Sequence, residues 1–146
     1  MKALTFKTTI NAPKQKVWDT MTGAATYAAW TGAAWPGSHF EGEWKSGNSI
    51  RFTGPDGSGT LATITTLQPY DLIAAEHIAI LLKGGAEDRE SEMACGWTGS
   101  KERYDFSERD GKTELKVTMT VGADWEDMFN KDWPKALAKL KEICEQ

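Results

Sequence analysis

Three ionisable side chains lie in segments that are otherwise apolar or alternating, and they are the first candidates for acid–base chemistry: His77, Glu102 and Asp132. An imidazole changes charge near neutral pH, so an inward-facing His77 could act as a general base. Two carboxyl groups facing one cavity, those of Glu102 and Asp132, would form a catalytic pair if their surroundings separated their pKa values. Each residue also has a structural interpretation. His77 and Glu102 could be held by structural hydrogen bonds, and Asp132 could be turned towards solvent.

The surroundings of His77 and Glu102 leave two questions open. His77 follows Glu76 in a strand-like segment, and side chains alternate along a strand, so only one of the two can point inward. Glu102 shares a strand face with Tyr104, which makes a buried carboxylate plausible. Such a carboxylate needs a partner, and the candidates are Arg51, Tyr104 or a ligand.

Other reactive residue types are sparse. His39 stands at the border between a loop and a strand and is a weaker candidate than His77. Cys95 and Cys144 have no paired framework, so we expect both thiols to be reduced. The chain contains no HExxH, CxxC, GxSxG, phosphate-binding-loop or dinucleotide-binding motif, so we expect no metal site and no cofactor.

Composition narrows the class of partner and the location. The formal net charge is -4 and the sequence pI is about 5.2, which argues against nucleic acid or an anionic membrane as a partner. No apolar stretch reaches transmembrane length, and the N-terminal segment alternates instead of forming a continuous apolar signal. We therefore expect one domain over residues 1–146, without membrane insertion and located in the cytoplasm.

The segment Asp124–Glu145 must position much of any site, because its spacing predicts one long amphipathic helix. Its apolar face carries Trp125, Met128, Phe129 and Trp133, together with Ala136, Leu137, Leu140, Ile143 and Cys144. Pro134 predicts a kink or a split within this helix. A helix of this length needs a surface to pack against.

The rest of the chain supplies that surface. A helix is predicted from Pro13 to Gly23 and a second over Ala24–Trp30, followed by a loop at Thr31–Ser38. Strands are predicted at Ala3–Ile10, Phe40–Trp44, Ser49–Thr53, Gly59–Leu67, Leu72–Leu82, Trp97–Ser107 and Thr113–Val121. Lys83–Gly96 is predicted as a long loop. Short turns between consecutive strands favour an antiparallel sheet, and its apolar face should pack on the C-terminal helix in a two-layer α+β domain.

Several motifs, in the right order over nearly the whole chain, are similar to those of SRPBCC (START-like, Bet v 1-like) domains. The opening resemblance is Asn11-Ala12-Pro13, then Val17-Trp18 and Trp30. The middle and the end resemble the branch of activator of heat-shock-protein-90 ATPase homologues through Gly47-Asn48-Ser49-Ile50-Arg51-Phe52, Gly54-Pro55-Asp56-Gly57, Trp97, Glu102-Arg103-Tyr104, Trp133-Pro134-Lys135-Ala136-Leu137 and Leu140-Lys141.

This resemblance implies a helix-grip fold. A curved antiparallel sheet of about six or seven strands would surround the long C-terminal helix, with two short helices after the first strand and a cavity between sheet and helix. The residues expected to line that cavity and bind a ligand are Trp30, Trp35, Trp44, Phe52, His77, Glu102, Tyr104, Val117, Met119, Trp125, Met128 and Phe129. We expect Trp30, Trp35 and Trp44 to lie near its mouth.

Family members differ in activity, so three hypotheses follow from the resemblance. The first is a binder of a small apolar molecule, with Lys83–Gly96 or Thr31–Ser38 as the gate. The second is an enzyme of the cyclase or hydrolase kind that uses Glu102, His77 or Asp132 in the same cavity. The third is a protein-interaction module like the co-chaperone relatives, which predicts a chaperone partner and an exposed apolar patch near Trp35. An exposed sheet edge could also pair two copies in a homodimer.

Overall fold

The computed structural model describes all residues 1–146 and contains eight strands and four helices. In chain order these are β1 (Lys2–Ile10), α1 (Lys14–Thr22), α2 (Ala24–Thr31), β2 (His39–Glu41), β3 (Ser49–Thr53), β4 (Gly59–Gln68), β5 (Leu72–Leu81), β6 (Glu87–Asp88), α3 (Glu92–Trp97), β7 (Lys101–Arg109), β8 (Lys112–Val121) and α4 (Ala123–Cys144). None of the helices is both long enough and apolar enough to cross a membrane.

The strands form one antiparallel sheet in the order β1-β8-β7-β5-β4-β3-β2, and β6 pairs separately with β5. This curved sheet and the long helix α4 confirm the predicted α+β helix-grip fold, with both short helices following β1. The sheet has eight strands instead of six or seven because two residues of the predicted loop Lys83–Gly96 form β6.

Helix α4 buries one face against the β1 side of the sheet and against α1 and α2. Its buried residues are Trp133, Ala136, Leu137, Leu140 and Cys144. The spacing of these residues is that of one helical stripe, as expected for a helix that packs one face against the rest of the domain. The helix continues through Pro134, so a split at that position, one of the two predicted outcomes, does not occur.

Three local predictions are wrong. The strand predicted at Phe40–Trp44 is the shorter β2, because Gly42 has a φ of 127° that ends the extended run. Within the predicted loop Lys83–Gly96, helix α3 begins after Ser91, whose side chain caps the backbone N–H of Ala94. Trp97 is therefore the last residue of α3 and not the first residue of a strand.

Candidate functional site

A cavity of about 490 Å³ lies between the sheet and helices α2, α3 and α4. Ten of the side chains that line it are aromatic, and they include six of the seven tryptophans: Tyr27, Trp30, Trp35, Trp44, Phe52, Trp97, Tyr104, Trp125, Phe129 and Trp133. Volume and lining are both within the range of small-molecule sites, which are mostly apolar and carry a few polar groups.

Strand β5 brings Ile73, Ala75 and His77 to this cavity by regular alternation, and a local irregularity follows His77. His77 pairs with Ala62, whereas Ala79 pairs with the neighbouring residue Leu61, so Ile78 is an extra residue in β5. Such a bulge shifts the alternation of side chains by one position. His77 therefore lines the cavity by regular alternation, and Ile80 lines it in place of Ala79 because of the bulge. The open question at Glu76 and His77 is thereby answered, because His77 is buried and points inward.

Strand β7 places Glu102 and Tyr104 on the same face, two residues apart, where they meet His77. The Nε2 atom of His77 lies 2.7 Å from Oε1 of Glu102, and the hydroxyl of Tyr104 donates to Oε2 of Glu102 at 2.6 Å. Ala75 is the cross-strand partner of Glu102, and its small side chain leaves space in front of the carboxylate. We call these three residues the His77–Glu102–Tyr104 cluster.

Charges and hydrogen bonds within this cluster shift the pKa values of Glu102 and Tyr104. Burial by itself raises the pKa of Glu102, but the nearby His77 and the hydrogen bonds from His77 and Tyr104 outweigh burial and hold this pKa below its usual value. Glu102 is therefore an ionised carboxylate near neutral pH. Burial and the negative charge of Glu102 both raise the pKa of Tyr104, so its phenol keeps its proton and remains a donor.

A second tyrosine lies at this end of the cavity. The pKa of Tyr27 is also raised, first by burial and then by the charge of Glu102. Its ring packs edge-on against Trp30 and Phe40, with ring centroids 5.4 and 5.1 Å apart. Tyr27 and Trp30 are three residues apart on α2, and this spacing places them on one face of the helix.

Ten of the twelve residues expected to bind a ligand line the cavity: Trp30, Trp35, Trp44, Phe52, His77, Glu102, Tyr104, Trp125, Met128 and Phe129. Met128 is 38% exposed and lies where the cavity meets solvent. Trp30 is only 1% exposed, so its expected place near the mouth is wrong.

Two of the twelve residues and one acid–base candidate lie elsewhere. Val117 and Met119 are buried in the core but do not line the cavity, because β8 lies between β1 and β7, on the side of the sheet that α4 covers. Asp132 does not line the cavity either, and its carboxylate lies 3.7 Å from Nζ of Lys135 in the next helical turn. The expected pair of acids, Glu102 and Asp132, therefore does not face one cavity.

Trp97 is a site residue that the sequence pattern does not indicate. Its ring centroid lies 4.7 Å from that of His77, 5.1 Å from that of Trp125 and 5.9 Å from that of Phe129. Trp97 thus joins the cluster to the first turns of α4. The capping residue Ser91 was the available signal for a helix that ends at Trp97.

Four buried nitrogen atoms have no hydrogen-bond partner in the protein: Trp44 Nε1, His77 Nδ1, Trp97 Nε1 and Trp133 Nε1. All four belong to residues that line the cavity. Unpaired buried polar atoms are uncommon in proteins, and a concentration around one cavity is a feature that a ligand site would explain. No group of three or more His, Cys, Asp or Glu side chains is arranged to hold a metal ion.

His39, the weaker histidine candidate, is not in the cluster. Its Nε2 atom lies 3.0 Å from Oγ1 of Thr53, and its Nδ1 atom lies 3.2 Å from the carbonyl oxygen of Gly37. Both imidazole nitrogens are thus engaged in contacts that join β2 to β3 and to the preceding loop. Cys95 and Cys144 are free thiols, the first exposed and the second buried.

Solved structures resemble the chain over its whole length. The crystal structure of a protein from Mesorhizobium loti has a TM-score of 0.76 at 12% identity, covering 97% of this chain and 96% of that one. The solution structure of the Aha1 dimer from Colwellia psychrerythraea has a TM-score of 0.76 at 20% identity, covering 99% and 97%. At these identities the likeness shows the fold.

A third solved structure is longer than this chain. DynU16, from the dynemicin biosynthetic locus, has a TM-score of 0.74 at 16% identity; the match covers all of this chain, 100%, and 48% of DynU16. No curated protein sequence matches the chain. The sequence profile of the family described as Activator of Hsp90 ATPase homolog 1-like protein matches residues 11–145. The chain therefore belongs to this family, a branch of the SRPBCC superfamily, whose motifs its own motifs resemble.

Proposed function

We propose that this protein binds a small apolar molecule in the cavity between its sheet and helix α4. The observation that carries the proposal is the cavity itself, about 490 Å³ in volume and lined by ten aromatic side chains. A core that merely needed filling would close such a space, because protein interiors are packed as densely as organic crystals. The one polar end, formed by the His77–Glu102–Tyr104 cluster, would orient the ligand.

The experiment combines native mass spectrometry with a fluorescent probe. Purified protein is examined for a co-purified small molecule and then titrated with N-phenyl-1-naphthylamine, a neutral dye whose emission rises in apolar surroundings. In the variant Ala75→Phe the new ring occupies the space in front of Glu102, so we expect probe binding to fall at least about tenfold. Ile73→Phe fills the cavity from a second position and should have the same effect.

The matched control is Ala74→Phe, which adds the same ring to the same strand on the opposite face. It should leave probe binding unchanged. Circular dichroism verifies that each variant is folded. Equal probe binding by Ala75→Phe, Ile73→Phe and the wild type would contradict a site in this cavity.

A second candidate is an acid–base enzyme acting in the same cavity, and the His77–Glu102–Tyr104 cluster favours it. If Nε2 of His77 donates to Glu102, the carboxylate holds the imidazole in one tautomer, and Nδ1 is left with a lone pair that can accept a proton. Nδ1 is closed to solvent, however, so a substrate would have to open its surroundings. We therefore rank binding ahead of catalysis.

Ester hydrolysis provides a test of the enzyme candidate. Wild-type protein and His77→Gln are incubated with 1-naphthyl acetate, and release of 1-naphthol is followed. An enzyme of the hydrolase kind requires a rate above buffer that His77→Gln abolishes. A rate equal to buffer, or one that His77→Gln retains, counts against this candidate.

The other expected partners receive less support. Trp35 packs on Phe129 and Trp133, with ring centroids 6.4 and 5.4 Å apart, whereas the interaction-module hypothesis places an exposed patch there. A homodimer remains a proposal for this chain, suggested by the dimeric Aha1 structure. Strands β1 and β2 are the ends of the sheet order, and the nine-residue β1 offers the longer edge for pairing. Light scattering of the purified protein would give its mass in solution.

A further inference from the structure

The cavity contains no basic side chain that carries a permanent charge. Among its lining residues, His77 is the only histidine and Glu102 the only carboxylate, and no lysine or arginine is present. Arg51, on strand β3, does not line the cavity, and its guanidinium donates to the carbonyl oxygen of Gly85. Lys135, on helix α4, is paired with Asp132 outside the cavity.

The His77–Glu102–Tyr104 cluster carries no net positive charge. Glu102 is ionised, and the pair of Glu102 and His77 carries a net charge of zero when His77 is protonated and of minus one when it is neutral. In neither state is there an excess positive charge. Each oxygen of Glu102 accepts one hydrogen bond, from His77 or Tyr104, so the cluster offers a ligand anion no unpaired positive charge.

We infer that the cavity selects neutral aromatic molecules and rejects anionic ones of the same shape, such as carboxylates and sulfonates. This inference rests on the proposed binding function and specifies the chemical class of the ligand. A buried anion without a partner is strongly disfavoured in apolar surroundings, and here Glu102 would repel it as well. The unpaired indole N–H groups are uncharged dipoles, which do not neutralise a full charge.

The arrangement of the aromatic walls favours a flat ligand. Trp97 lies edge-on to Trp125 and nearly parallel to Phe129, with interplanar angles of 74° and 27°. Trp133 contacts the rings of Trp35 and Tyr104 from the helix side, at centroid distances of 5.4 and 6.2 Å. Offset-stacked and edge-on contacts are the geometries in which aromatic rings attract one another, so a planar aromatic ligand would extend this set of contacts.

Two dyes with one scaffold test the inference directly. N-phenyl-1-naphthylamine is neutral, and 1-anilinonaphthalene-8-sulfonate is the same ring system with an added sulfonate. Only binding that Ala75→Phe removes is counted, because the anionic dye also adheres to protein surfaces. We expect the neutral dye to bind at least about thirtyfold more tightly than the sulfonate, since an unpaired charge is costly to bury.

A gain-of-function variant keeps the test independent of loss of folding. Thr60 is half-buried and lines the cavity at the start of β4, so Thr60→Arg would add a cation there. We expect this variant to bind the sulfonate at least about tenfold more tightly than the wild type does. Thr60→Gln, similar in length but uncharged, is the control and should not improve sulfonate binding.

The outcomes separate this inference from the proposed function. Equal affinity of the wild-type cavity for both dyes overturns the inference and leaves binding in the cavity intact. Failure of Thr60→Arg to improve sulfonate binding while the protein remains folded also contradicts it. If neither dye binds and no molecule co-purifies, the proposed function and this inference fall together.

Discussion

Replacing Glu102 by glutamine should destabilise the protein by about 2–4 kcal/mol near neutral pH. Glu102 accepts two hydrogen bonds as a charged group, each worth about 1.5–3 kcal/mol, and glutamine retains only a neutral acceptor worth about 0.5–1.5 kcal/mol. The side chain is 19% exposed, so solvent screening places the loss towards the lower end of this range. For a domain of this size, the change corresponds to a decrease in Tm of roughly 3 °C per kcal/mol.

The pH dependence carries the more specific expectation. The pKa of Glu102 is lower in the folded protein than in the unfolded chain, so the folded state binds this proton less readily. The stabilisation is therefore complete above the unfolded pKa, about 4.3, and is lost as the pH falls through the folded pKa. The stability difference between wild type and Glu102→Gln should shrink across this acid window.

The assay is urea unfolding, followed by circular dichroism from about pH 8 to about pH 3. Glu114→Gln is the matched control, because Glu114 is exposed on the adjacent strand β8, and it should change stability by no more than about 0.5 kcal/mol. Tyr104→Phe removes one of the two donors and should cost about half as much as Glu102→Gln. A Glu102→Gln variant as stable as the wild type near neutral pH, or a difference that persists undiminished at the acid end, would refute the reasoning.

Three further predictions concern the rest of the fold. Leu140→Ala should lower the free energy of unfolding by about 2–5 kcal/mol, because Leu140 is fully buried on α4 and its truncation leaves a cavity. Urea unfolding measures this change, and a loss below about 1 kcal/mol would contradict the packing. Gly59→Ala should destabilise the protein by about 1–3 kcal/mol, because the new Cβ would clash with the carbonyl oxygen of Phe52 on β3. An unchanged Tm would show that the strands are less closely paired. A thiol reagent should modify only Cys95 in the folded chain and both cysteines in denaturant. The reason is that Cys144 is buried and that burial raises its pKa. Rapid modification of both thiols in native buffer would contradict this prediction.

Hydrophobic periodicity in the sequence predicts most of the fold and many residues of the candidate site. The 3.6-residue period of the last segment and the two-residue period of the strands determine which side chains face the core. For that reason α4 and the paired positions Glu102 and Tyr104 could be predicted from the pattern alone. The aromatic side chains expected inside, such as Phe52 and Phe129, also line the cavity.

Tertiary structure decided what periodicity does not encode. The bulge at Ile78 changes the alternation within β5, so Ile80 lines the cavity in place of Ala79, and this depends on the pairing with β4 and not on the strand's own pattern. Trp97 enters the site because the short helix α3 folds against β5. Val117 and Asp132 are excluded from the cavity by where α4 lies across the sheet. A sequence pattern reports which face of an element is buried, but the shape enclosed between two buried faces depends on register, bulges and helix placement, which arise only when the elements pack together.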